Sequence, residues 1–150
     1  MVANIRQEMP VLARHEGEWQ GTYTLIDING KILDHHNSHL SCQFPQEKPD
    51  SYYQVNRYNW SDGKEQEFQF PGVYRDKKVW FDTERLEGSA WEADNATIIL
   101  WITYKGIPEP MYIYEMIQIS PCNNYRARTW HWFKEDKIYQ RTLIQETRVN

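Results

Sequence analysis

Five residues of this chain have types and neighbours that could do chemistry together: Glu115, Arg128, Arg141, Tyr139 and His131. In Ile113-Tyr114-Glu115-Met116-Ile117 the acid alternates with isoleucines, so a strand here sets a carboxyl group on an apolar face. A carboxylate so placed is costly unless a guanidinium compensates it or it takes up a proton, and Arg128 and Arg141 are the candidates for that compensation. In a functional reading, one arginine holds a ligand carboxylate or oxyanion while Glu115 or Tyr139 exchanges a proton. In a structural reading of the same residues, a closed ion pair sets strand register and meets no ligand.

These side chains converge only if strands carry them. From Trp19 onward, β-branched and aromatic residues alternate with polar ones between turn signals at Asn29-Gly30, Asp62-Gly63, Asp76-Lys77, Glu87-Gly88, Asp94-Asn95, Cys122-Asn123-Asn124 and Glu135-Asp136. The pattern predicts about ten strands, over roughly 18–28, 31–44, 51–60, 64–70, 73–75, 79–86, 89–93, 96–104, 111–120, 125–134 and 137–148, the shortest being a bend. No long helix separates them, so the expected fold is all-β, an up-and-down antiparallel barrel of about 8–10 strands. Asn4 to His15 holds the one candidate helix, with Ile5, Met9 and Leu12 at helical spacing and Pro10 limiting its regularity. The expected organisation is one domain, 1–150, with a helical lid or plug over 1–16 and the barrel over 17–150.

Each hairpin turn fixes a register and hence a face. A turn at Asp94-Asn95 sets Trp91 opposite Ile98, and the loop from Lys105 to Pro110 sets Leu100 opposite Glu115 and Ile102 opposite Ile113. If Ser120 pairs with Tyr125, Ile117 faces Arg128 and Glu115 faces Trp130. The turn at Glu135-Asp136 then sets Trp130 opposite Arg141 and Trp132 opposite Tyr139. At the front, Asn29-Gly30 aligns Trp19, Gly21, Tyr23 and Leu25 with Leu40, Ser38, His36 and Asp34, while Asp62-Gly63 aligns Val55 with Phe70 and Arg57 with Phe68. The expected ligand wall is therefore Tyr23, Arg57, Trp91, Leu100, Ile113, Arg128, Trp130, Trp132 and Arg141. A one-residue change between Pro121 and Asn124 would turn His131 inward instead; Trp130 and Trp132 are the larger apolar payload and favour the first register.

Composition narrows the partners. The net charge is −4 over 150 residues, and this acidic balance offers no footprint for nucleic acid or an anionic membrane. Seven Trp and ten Tyr in a chain of mean hydropathy −0.82 suit a half-polar cavity better than a dry aliphatic core. No GxSxG, P-loop, HExxH or GxGxxG pattern is present, and no cofactor is expected. His35, His36 and His39 cannot converge from one strand, so no metal is expected either. Cys42 and Cys122 read as free, partly buried thiols. Neither a secretory leader nor a membrane-spanning run is evident, which points to the cytoplasm; Asn59-Trp60-Ser61 and Asn95-Ala96-Thr97 then carry no weight as glycosylation signals. Length and charge leave a homo-oligomer open.

Gly17-Glu18-Trp19, after a short helix and opening the first strand, resembles the GxW signature of lipocalins and their calycin relatives. Together with Glu8-Met9-Pro10-Val11-Leu12, the run from Tyr112 to Ser120 and the run from Arg126 to Phe133, the chain is similar to the lipocalin-like DUF3598 family over nearly its whole length. The resemblance implies a barrel and a pocket but no substrate. Fold relatives include fatty-acid-binding proteins, bilin lyases and small barrel cyclases. It also implies an arginine near the last strand packed against Trp19, with Arg141 as the matching position, and the disulfides usual in extracellular lipocalins are not evident. The function expected is binding of a small hydrophobic or aromatic molecule bearing an anionic group. The alternatives are a cofactor-independent isomerase or cyclase of specialised metabolism, using Glu115, Tyr139 or His131, and a bilin or chromophore chaperone or lyase.

Overall fold

Alternation with period two carries the chain almost without interruption from Gly17 to Val149, and a computed structural model, which describes residues 2–149, folds that stretch into one closed sheet. The strands are β1 (Gly17–Asp27), β2 (Ile32–Gln43), β3 (Ser51–Asn59), β4 (Glu65–Arg75), β5 (Lys78–Asp82), β6 (Leu86–Glu92), β7 (Thr97–Tyr104), β8 (Met111–Ile119), β9 (Tyr125–Lys134) and β10 (Lys137–Val149). Each pairs antiparallel with its neighbours in sequence, and β1 closes on β10. The stretches expected separately at 64–70 and 73–75 are one strand, β4, running through Pro71-Gly72. No helix among the described residues is long and apolar enough to cross a membrane.

The helix expected over Asn4 to His15 is two single turns, α1 (Ile5–Glu8) and α2 (Pro10–Ala13). Pro10 opens the second turn and the residue before it, Met9, leaves helical geometry at φ −130 and ψ 72, as the steric demand of a proline ring requires. Asn4 caps the first turn by accepting the Arg6 N–H at 3.0 Å. Ile5, Met9, Val11 and Leu12 are buried in the main core with Trp19, Leu40 and Ile98, so the pair of turns plugs one end of the barrel.

Three registers run as the turns predict, and their faces follow. Trp19, Gly21, Tyr23 and Leu25 lie opposite Leu40, Ser38, His36 and Asp34; Leu100 opposes Glu115 and Ile102 opposes Ile113; Glu115 opposes Trp130 and Ile117 opposes Arg128. The first of these survives by compensation. Asp27 N–H bonds to Lys31 across a three-residue loop, and a bulge that leaves Leu33 unpaired restores the alignment by Leu25.

Three other alignments differ by one residue, which in a sheet exchanges the faces. At Asp62-Gly63 the loop holds three residues, closed by Trp60 N–H to Lys64 O at 2.9 Å, with Gly63 at φ +93. Asn56 therefore opposes Phe68, and Arg57 opposes Glu67 outside the barrel. At Asp94-Asn95 the loop again holds three residues, with Ala93 N–H on Thr97 O and the Asp94 carboxylate accepting Ala96 N–H at 2.9 Å. Ala90, not Trp91, is then the inward residue opposite Leu100. The last hairpin does turn at Glu135-Asp136, both at positive φ, but a bulge at Tyr139 sets Trp132 opposite Gln140 and Trp130 opposite Thr142. Arg141 and Leu143 consequently point outward, and Thr142, Ile144 and Glu146 line the interior.

Candidate functional site

Below the plug, four ionised side chains meet inside the barrel. Arg128 Nε donates to Glu115 at 2.6 Å, and Arg126 Nε donates to Glu146 at 2.6 Å. Arg128 also donates to Glu146 at 3.2 Å and to the Tyr23 hydroxyl at 2.9 Å. All four charged residues are buried. The two arginines and two glutamates balance each other, as a low-dielectric site demands. Burial pushes the Glu146 carboxyl up, but the charges of Arg126 and Arg128 outweigh it and hold the group below its ordinary range. Desolvation and the same arginines push His15, whose Nδ1 meets Arg126 at 3.1 Å, well below the usual imidazole value. His15 is therefore neutral at pH 7.

Trp19 stands against this cluster, fully buried, with Arg126 and Arg148 on its ring at 4.5 and 4.4 Å from the centroid. The tryptophan–arginine pairing that the lipocalin resemblance implies is thus made by Arg148, together with Arg126, and not by Arg141. In the register of β1 and β10, Trp19 opposes Arg148 whereas Arg141 opposes Ile26 near the far end.

The even residues of β3 continue the polar lining. Tyr52 donates to Gln54 at 2.7 Å, Gln54 to Asn56 at 2.9 Å and Asn56 to the Tyr58 hydroxyl at 2.9 Å. Between this ladder and the apolar residues Leu100, Ile102 and Ile113 lies an inner cavity of about 60 Å³, bordered also by Glu115, Arg128 and Trp130. A second pocket, of about 220 Å³, opens at the end away from the plug and is walled by Tyr23, His36, Tyr58, Trp60, Trp130 and Trp132, with Asp34, Gln66 and Gln140 among its polar residues. Trp130 lines both spaces.

At the mouth, Asp34 orders the aromatic residues. It accepts from His36 Nδ1 at 2.8 Å and from the Trp60 indole N–H at 2.8 Å. Its partial burial raises the carboxyl, yet the hydrogen bonds from His36 and Trp60 bring it net below the ordinary value. His36 stacks on Tyr23 with centroids 5.2 Å apart and lies 4.2 Å from Trp60. His36 Nε2 and Trp130 Nε1 are buried without a hydrogen-bond partner among the described residues.

Of the residues expected to form the site, Glu115, Arg128, Leu100 and Ile113 border the inner cavity, Tyr23 and Trp132 the mouth, and Trp130 both. The others stand apart. Arg57 pairs with Glu67 at 2.9 Å on the outer wall. Trp91 faces out, half-buried under the Lys78 ammonium at 5.1 Å. His131 opposes Tyr114 and Arg141 on the outer face. Tyr139, displaced by its bulge, meets Met111 Sδ at 3.1 Å. Cys42 is buried and Cys122 exposed. Glu146, His15, Asp34, His36 and Trp60 were not among the expected site residues. The alignment of Tyr23 with His36 and Leu25 with Asp34 was a signal for two of them; Glu146 was hidden by the bulge.

No curated protein matches the chain. Among solved structures, a protein of unknown function from the DUF3598 family of Nostoc punctiforme PCC 73102 superposes with a TM-score of 0.72 at 16% identity, over 92% of this chain and 49% of the other. The chain thus spans about half the length of that relative. EF1p2_mFAP2b, solved bound to DFHBI, superposes with a TM-score of 0.50 at 17% identity, over 93% of this chain and 97% of the other. Both likenesses are of fold. In sequence, residues 6–150 match the N-terminal domain described as "Domain of unknown function (DUF3598), N-terminal", and the chain belongs to the DUF3598 family.

Proposed function

We propose that the chain holds a small aromatic or hydrophobic molecule at the mouth of its barrel, among the rings of Tyr23, His36, Trp60, Trp130 and Trp132. The observation that carries this reading is a pocket of about 220 Å³ walled in part by His36 and Trp130, each of which has a buried ring nitrogen without a hydrogen-bond partner among the described residues. Buried polar atoms without partners are rare, and a ligand atom would satisfy them. A cavity of roughly 150 Å³ takes up benzene, so the mouth has room for a ring whereas the inner cavity of about 60 Å³ does not. The DFHBI complex of EF1p2_mFAP2b supports the reading, because a barrel of similar fold accommodates a small aromatic ligand.

The arginines expected to receive an anionic group inside are already engaged by Glu115 and Glu146. Arg85, which lies over the Phe68 and Phe70 rings at 4.8 and 5.6 Å, is exposed and is not among the residues that wall the mouth, so the anionic group is not part of the proposal. Titration with DFHBI and a panel of one- and two-ring aromatics, followed by calorimetry, tests the proposal. Saturable one-to-one binding that weakens in Trp60→Ala and Trp132→Ala, and is unchanged in Trp101→Ala on the outer wall, is the expected result. A panel without any saturable binder overturns it.

A further inference from the structure

Asp34 and His36 lie two residues apart on β2, on the inward face, and their hydrogen bond fixes the imidazole. Asp34 accepts at His36 Nδ1 over 2.8 Å while the Trp60 indole donates to its other oxygen at 2.8 Å. A carboxylate receiving the Nδ1 proton leaves the lone pair on Nε2. That nitrogen is buried and meets no donor among the described residues. Tyr23 stacks on the ring at 5.2 Å, Tyr58 meets it edge-on at 4.9 Å and Trp60 lies against it at 4.2 Å, so the imidazole is packed among three aromatic rings.

We infer that His36, held by Asp34, makes the mouth pocket a proton-accepting site that selects aromatic ligands with an acidic O–H or N–H over otherwise equal ligands without one. The inference rests on the reading of the mouth as the ligand site and names the chemical class that site prefers. The ligand's O–H or N–H bond gives its proton to His36 Nε2 and keeps the electron pair on its own heteroatom. The imidazolium formed then lies between two negative charges, the ligand anion and the Asp34 carboxylate. A hydrogen-bond acceptor elsewhere on the ring takes the unpaired Trp130 indole N–H.

The groups around His36 favour this arrangement. Asp34 supplies the one charge on its own strand. Tyr23 from β1 and Tyr58 from β3 present hydroxyls that burial keeps protonated, and Trp60, Gln66 and Trp130 contribute no charge. Of the groups around His36, Arg128 hydrogen-bonds the Tyr23 hydroxyl, at 2.9 Å, its other bonds going to Glu115 and Glu146. The aspartate–imidazole pair faces aromatic rings, and among the residues that wall the mouth no base other than Asp34 stands beside it.

The test compares 4-nitrophenol, whose visible band reports the phenolate, with its methyl ether 4-nitroanisole, which has no proton to give. The expected result is at least about tenfold tighter binding of the phenol, with the bound phenol ionising about one pH unit lower than in water. His36→Gln removes the basic nitrogen, and the ratio of the two affinities, in which the loss of ring area cancels, should fall to about one. Asp34→Asn should reduce the shift in ionisation. Equal affinities in the unmodified protein, or a preference that persists in His36→Gln, overturn the inference and leave the mouth a ligand site. Failure of both probes to bind overturns the ligand site and the inference with it. The ionisation shift in the unmodified protein decides the matter even if the variants do not fold.

Discussion

Arg128 stands between two carboxylates, with Nε 2.6 Å from Glu115 on β8 and Nη1 3.2 Å from Glu146 on β10, so that one guanidinium ties the strands on either side of β9. Arg126 completes the set from the plug side, at 2.6 Å from Glu146. Removing Arg128 leaves Glu115 buried and unpaired. Arg128→Met should cost about 3–5 kcal/mol, the usual penalty for stranding a buried charge. The double variant Arg128→Met/Glu115→Leu should recover more than half of that loss. Urea midpoints for the two single variants and the double variant close the cycle.

Acid stability should fall in two stages. His15 is neutral in the fold because burial and the arginines lower its pKa. The unfolded chain therefore binds the extra proton first, and stability declines as pH drops below about 6.5. Glu146, also lowered, adds its stabilisation above the ordinary carboxylate range and loses it as pH falls from about 4.3 through its own folded value. Melting temperatures from pH 8 to 3 should show both declines. The decline below about 6.5 should be absent in His15→Gln.

Two arginines of the last strand should differ sharply. Arg148 stacks on Trp19 at 4.4 Å and donates to the carbonyls of Asn123, Arg14 and Glu16, whereas Arg141 is exposed. Arg148→Ala should destabilise by about 2–4 kcal/mol, through lost charged hydrogen bonds and stacking. Arg141→Ala should stay within about 0.5 kcal/mol. Equal effects by chemical denaturation would return the tryptophan's partner to Arg141.

Gly21 makes room for Glu146. A Cβ at this position would stand 2.1 Å from the Gln145 carbonyl oxygen and 2.7 Å from Glu146 Cγ, and the first of these is backbone that cannot swing away. Gly21→Ala should cost about 1–3 kcal/mol by overpacking. Gly30→Ala, where added bulk meets nothing, should be less costly despite its positive φ. Thermal unfolding of both variants makes the comparison.

The sequence reveals most about the site where a strand pair is joined by a loop of the assumed length. Glu115, Trp130, Ile117 and Arg128 fall on one face because Ser120 does bond to Tyr125. The barrel itself is legible because alternation, turn residues and the absence of long helices agree. Arg57 and Trp91 are misplaced because Asp-Gly and Asp-Asn dipeptides serve equally in two- and three-residue loops, and one added residue exchanges inside for outside. The bulge at Tyr139 has no local signature, so Glu146 is invisible until β10 is paired. His36 carries a different lesson. Its inward position is readable from the first hairpin, but its bond to Asp34 and its free nitrogen depend on rotamers that alternation does not set.

Indole N–H resonances locate a bound ring most directly, since the seven tryptophans are spread over the mouth, the core and the outer wall. In a ¹⁵N-labelled sample titrated with 4-nitroanisole, the signals of Trp60, Trp130 and Trp132 should move together to saturation, while those of Trp80 and Trp101 stay in place. Unmoved mouth signals at saturating probe, or shifts confined to the outer tryptophans, would contradict a ligand site at the mouth of the barrel.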